Sequence, residues 1–130
     1  MNIVAFVPAR GGSKSILGKN IKILGDKPLI GWTIKSTFDA GMQRVIVNTD
    51  SDEIAEVGRS YGAEVMMRPA SLAQDNTSMF DVLQSEIFKI EPTPDIVLLL
   101  QPTNPFRKKV HIKNSLSYLL ENLDTYDSII

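Results

Sequence analysis

Two short apolar runs, IVAFV at residues 3–7 and IVLLL at residues 96–100, constrain this chain most. Both read as strands, and a run as apolar as IVLLL suits a parallel strand covered on both faces. Parallel strands need crossovers long enough to hold a helix. The sequence supplies them: further strands are predicted at residues 44–47 and 64–67, and helix-length segments with apolar spacings of three and four lie between. Pro28 opens a helix carrying Leu29, Trp32, Thr33 and Phe38, with Gly41 as its stop. The next helix has N-cap candidates at residues 50–52 and ends at Tyr61 and Gly62. A third presents Met79, Val82, Leu83, Ile87 and Ile90 as one stripe. Residues 108–122 read as a fourth helix and 126–130 as the start of another strand.

This alternation predicts an α/β fold of three layers, built on a doubly wound, mostly parallel sheet. At 130 residues the chain forms one domain, 1–130. It stops on Ser128, Ile129 and Ile130, inside a strand-like run, so a domain cut short at its C-terminus is expected. A strand order of 3-2-1-4-5 would place the ligand crevice outside the carboxyl ends of the strands, between the loops that follow residues 7 and 100.

The first of those loops is rich in positive charge. Residues 7–20, VPARGGSKSILGKN, hold Arg10, Lys14 and Lys19 with no acidic residue before Asp26, whereas the whole chain has a formal charge of -1. A local basic excess on a near-neutral protein points to a small phosphate-rich ligand and away from nucleic acid. Gly11 and Gly12 can present main-chain N–H groups as an anion nest, using positive φ. Ser13 adds a small donor, Arg10 a bidentate fork, Lys19 a mobile cation, and Asn20 both a donor and an acceptor. The P-loop pattern fails, since Ser13 stands where its first glycine belongs and Asn20 where Ser or Thr follows the lysine; G-x-G-x-x-G is absent too. Nucleotidyl transfer remains.

No cysteine is present, which excludes disulfides, thiolate metal sites and cysteine nucleophiles. The N-terminal apolar run is too short for a membrane span or signal peptide, so a cytoplasmic location is expected. Asp50, Asp52 and Glu53 read as helix-capping and dipole-complementing residues, His111 as a surface residue, and residues 107–109 as a solvated helix start.

Several separated motifs, VPARGGSKSILGKNI, GDKPLIGWTI, VNTDSDEIAEVGRSYGAEV, RPASLAQDNTSMFDVL and LLLQPTNPFR, together resemble the CMP-sialic acid synthetases, the acylneuraminate cytidylyltransferases. The resemblance runs in order through essentially all of the chain. It implies a Rossmann-like fold of the nucleotide-diphospho-sugar transferase type. The implied reaction joins CTP and a 2-keto sugar acid into a CMP-sugar and pyrophosphate, with magnesium. It also implies that Arg10, Ser13, Lys19 and Asn20 engage CTP, with Arg10 and Lys19 steadying the triphosphate. Arg68 matches a family arginine near the nucleotide, and Thr77, with Ser78 beside it, a hydroxyl position of the same site. Gln101 matches a glutamine placed towards the sugar acid. Magnesium ligands, and a segment that completes the sugar pocket of a homodimer, are expected beyond Ile130.

Departures from the family pattern include Ser15 and Leu17, where Gly and Pro are usual, and Asn104 and Phe106 in the second loop. Three readings stay open: a sialate-type cytidylyltransferase, the related CMP-Kdo synthetase, and a CTP-binding module without turnover.

Overall fold

The computed structural model describes residues 2–12, 21–74, 77–102, 111–114, 117 and 121. The elements with described bounds follow in chain order: β1 (Ile3–Pro8), β2 (Ile23–Leu24), β3 (Lys27–Pro28), α1 (Leu29–Asp39), β4 (Val45–Thr49), α2 (Asp52–Ser60), β5 (Glu64–Met67), α3 (Met79–Glu86) and β6 (Ile96–Leu99), and residues 111–114 are helical too. Four of the strands form one parallel sheet in the order β5-β4-β1-β6. That is the predicted 3-2-1-4 arrangement. The strand expected at 126–130 lies outside the described residues.

Helices cover both faces, as a doubly wound sheet requires. On one side Ala5, Val7, Val45 and Val47 pack with Ile30 and Ile34 of α1, Ile54 of α2 and, further along, Ile112. On the other, Val4, Phe6 and Ile46 meet Val82 of α3 and Ile90. Odd and even positions of β1 thus feed different cores, which explains why IVAFV is apolar throughout. β6 is less covered than expected: residues 96–99 are half-buried, because among the described residues nothing pairs with the outer edge of this strand.

Local signals set the helix ends. Pro28 is the N-cap of α1, so the helix starts at Leu29, one position later than predicted. Gly41 follows its last turn with a φ of 96° and bonds back to the Phe38 carbonyl. The buried residues of α1 are Ile30, Gly31, Thr33, Ile34 and Thr37, whereas Leu29, Trp32 and Phe38 are only half-buried. In α2 the cap is Ser51, whose hydroxyl accepts from Ile54 N, and Gly62 takes a φ of 90° after the helix. The sequence reading missed the β2–β3 hairpin, in which Gly25 takes a φ of 70° and Asp26 completes the turn. The Trp32 indole of α1 holds it by donating to the Leu24 carbonyl at 2.7 Å.

Candidate active site

Four adjacent strands end beside one another, and each is followed within two residues by a polar side chain: Arg10 after β1, Asp50 after β4, Arg68 after β5 and Gln101 after β6. Main-chain bonds extend the sheet into these turns. Ala9 N donates to Asn48 O at 2.9 Å, Arg68 N to Thr49 O at 2.8 Å, and Leu100 N to Phe6 O at 3.0 Å. The carboxyl ends of the strands, where the crevice is predicted, therefore carry Arg10 and Arg68 after β1 and β5, with Gln101 after β6 on the other side of β1.

Arg68 is 7% exposed, so it is not a surface ion-pair residue. Its Nη1 donates to Leu72 O at 3.1 Å and its Nη2 to Asn48 O at 3.2 Å, while the buried Nε has no partner. Burial pulls the guanidinium below the ordinary arginine value; the charges of Asp50 and then Glu86 oppose this, and Arg10 adds to it. Arginine stays protonated even so. A buried cation whose hydrogen-bonded acceptors are neutral carbonyls retains unspent attraction for an anionic or acceptor-rich ligand.

The two glycines of the basic loop differ from expectation. Among the described residues positive φ is confined to Gly25, Gly41 and Gly62, so neither Gly11 nor Gly12 uses the left-handed freedom that an anion nest needs. Gly11 is small for another reason: a Cβ there would lie 2.9 Å from Ser51 Cβ. Its N–H is engaged by the Asp50 carboxylate, with Oδ1 accepting at 2.8 Å. At Gly12 an added Cβ would meet nothing within 4 Å. Asp50 is therefore not the cap of α2. Asp52 and Glu53 do stand in the first turn, where they complement the dipole.

Thr77 and Ser78 have local work. Ser78 Oγ accepts from Asp81 N at 3.1 Å as the N-cap of α3. Thr77 Oγ1 accepts from Gln74 N at 3.1 Å. Both hydroxyls keep a free lone pair, so these bonds leave room for a ligand. Ser13, Lys19 and Asn20 lie outside the described residues, as do 103–110 of the second loop. His111 is exposed on a helical stretch, as expected.

One buried group escaped the sequence reading. Glu86 is 0% exposed and binds Asn48 Nδ2 at 3.0 Å, Ser85 Oγ at 3.3 Å and the Lys89 ammonium. Burial pushes its carboxyl up, but the bonds from Lys89, Asn48 and Ser85 outweigh this and hold it below the usual range. The signal was present: Glu86 continues the stripe of Met79, Val82 and Leu83 on α3, where a charge needs a partner.

A crevice that offers buried and loop-borne arginines at strand ends is shared by many nucleotide-binding sheets, and the chain as a whole decides among them. The sequence model of one family, described as cytidylyltransferase, matches residues 4–130. The chain belongs to the cytidylyltransferase family. This makes it a nucleotidyltransferase relative, in agreement with the resemblance read from its motifs. Among similar proteins, an N-acylneuraminate cytidylyltransferase of Escherichia coli O18:K1:H7 is 38% identical over 98% of this chain and 30% of its own length. A CMP-N,N'-diacetyllegionaminic acid synthase of Legionella pneumophila is 41% identical over 88% of this chain and 52% of its own. This cytidylyltransferase chain therefore spans about a third to a half of the length of these relatives. A solved CMP:2-keto-3-deoxy-manno-octonic acid synthetase complexed with CTP superimposes with a TM-score of 0.81 at 25% identity, over 95% of this chain and 49% of that one.

Nucleotidyltransferases of this family typically use a divalent metal. Among the described residues of this cytidylyltransferase no group of three or more His, Asp or Glu side chains comes together to hold one, so they do not fit a metal by themselves. No helix among them is long and apolar enough to cross a membrane.

Proposed function

We propose that this chain carries the CTP-binding part of an enzyme that activates a sialic-acid-like 2-keto sugar acid. The hydroxyl oxygen on the keto-derived carbon attacks the α-phosphorus of CTP and forms a new P–O bond. The bond from the α-phosphorus to the bridging oxygen breaks, and pyrophosphate leaves with that electron pair while the hydroxyl proton passes to solvent. Arg10, with Lys19 and Asn20 by resemblance, neutralises the triphosphate as charge moves onto the leaving group. Arg68 binds the nucleotide, Thr77 and Ser78 add hydroxyl contacts, and Gln101 faces the sugar acid across β1. A homodimer completes the sugar pocket, and magnesium would supply further neutralisation of the charge on the triphosphate.

What supports this reading above all is the placement of Arg10 and the buried Arg68 at the carboxyl ends of β1 and β5, on either side of β4, with the Arg10 charge close enough to act on Arg68. Relatives of 38% and 41% identity act on nonulosonic acids by their names, which favours such a substrate over the Kdo-type acid of the 25% identical structure. Pyrophosphate release from CTP is the test. With a chain extended to the length of these relatives, release with acylneuraminate or legionaminate is expected, and release only with the Kdo-type acid would favour the alternative. CTP binding with no release from any sugar acid would favour a binding module without turnover.

A further inference from the structure

Asp50 follows β4, between the strand ends that precede Arg10 and Arg68, and α2 is capped without it. Ser51 caps that helix, its Oγ accepting from Ile54 N at 3.2 Å, while Thr49 Oγ1 accepts from Ser51 N at 3.0 Å. These two bonds tie the turn at the end of β4 to itself and leave the Asp50 carboxylate available for a contact across the sheet. It makes one with the Gly11 N–H at 2.8 Å, across 39 positions of sequence. The fit is close, since a Cβ on Gly11 would lie 2.9 Å from Ser51 Cβ and 3.7 Å from Asp50 Oδ1. The same three-residue end of β4 also holds Arg68, whose main-chain N–H donates to Thr49 O at 2.8 Å and whose Nη2 donates to Asn48 O at 3.2 Å.

We propose that Asp50 is the positioning residue of the nucleotide site, clamping the first turn of the basic loop onto the end of β4, to which Arg68 is hydrogen-bonded. A charge-assisted bond to a main-chain N–H is short and directional, so it fixes where the loop leaves β1. Arg10 is thereby held at a set distance from Arg68, and both are prepared for one polyanion without reorganisation on binding. The Asp50 charge also offsets the repulsion between these two arginines before the ligand arrives. The inference rests on the reading of this crevice as the nucleotide site. It adds a residue that touches no ligand and acts through the loop.

The test compares Asp50→Ala, Asp50→Asn and Gly11→Ala in the full chain, with thermal melting to verify that each is folded. Amide hydrogen exchange at residue 11 is read first, without nucleotide. In the wild type it is expected to be at least tenfold slower than in Asp50→Ala, with Asp50→Asn restoring most of the protection because its carbonyl still accepts. CTP affinity by calorimetry should fall at least tenfold in Asp50→Ala and recover in Asp50→Asn. It should also fall in Gly11→Ala, where Asp50 is intact but the new methyl pushes the loop off Ser51. Equal exchange in wild type and Asp50→Ala, an Asp50→Asn variant as weak as Asp50→Ala, or wild-type affinity in Gly11→Ala would each overturn the proposal. Because the exchange measurement needs no ligand, failure of the wild type to bind CTP refutes the nucleotide reading and leaves the clamp to be judged by exchange alone.

Discussion

The side-chain amide of Asn48 in β4 donates to the carboxylate of Glu86 in α3 at 3.0 Å, and both residues are wholly buried. This bond joins the sheet to its covering helix directly behind the strand end that holds Arg68. Because bonds from Lys89, Asn48 and Ser85 hold the Glu86 carboxyl below the ordinary glutamate value of 4.5, despite its burial, its stabilising contribution is present above that value. The contribution is lost as pH falls through the lower folded value. Urea unfolding from about pH 7 to about pH 3 should show a decline in the acid range that is flatter in Glu86→Gln, which keeps an acceptor without a charge. Glu86→Ala should cost about 1–3 kcal/mol at neutral pH, because it removes the nearer acceptor of the buried Asn48 amide.

Arg68 should separate stability from binding. Replacing a buried, poorly paired cation by an apolar residue of similar length is often close to neutral for folding. Arg68→Met is therefore expected to unfold within about 1 kcal/mol of wild type while losing at least tenfold in CTP affinity, about 1.4 kcal/mol. Denaturant unfolding and calorimetry on the same sample check both halves.

Ser78 has a structural role as the cap of α3 and a proposed one at the nucleotide, and substitution can divide them. Ser78→Ala should cost about 1 kcal/mol in a denaturant melt. Ser78→Asp keeps a good cap, so stability should be retained, but its negative charge should weaken CTP if the hydroxyl faces the phosphates.

Gly31 lets α1 approach the ring of Tyr61. A Cβ at this position would lie 2.7 Å from Tyr61 Cζ. Gly31→Ala should destabilise by about 1–3 kcal/mol in spite of alanine's better helix propensity. A Tyr61→Ala background should remove that penalty, as a double-mutant cycle by thermal melting would show.

The backbone plan was legible because it follows from short-range patterns. The runs IVAFV and IVLLL gave strands, Gly41 and Gly62 gave helix stops, and the strand order emerged with the predicted neighbours. The β2–β3 hairpin escaped because two-residue strands leave almost no periodicity, although Gly25 and Asp26 are turn residues. The site was legible as a set of residue types and not as a set of contacts. Gly11 looked like a residue chosen for positive φ, yet it is pressed against Ser51, a contact between residues 40 positions apart that no local pattern encodes. Asp50 and Ser51 are equally good caps on composition, and only the fold assigned the cap to Ser51 and the carboxylate to the basic loop. The burial of Arg68 was hidden too, since an arginine before Pro69 reads as exposed punctuation until β5 is seen pairing with β4.

Arg10 and Arg68, at the carboxyl ends of β1 and β5 on either side of β4, are proposed to bind the triphosphate of CTP. Calorimetric titration of this chain with CTP, UTP, ATP and GTP in the presence of magnesium tests it most directly. Selective binding of CTP is predicted, weakened at least tenfold by Arg10→Ala. A folded sample that binds no triphosphate, or binds CTP equally well without Arg10, would contradict the account.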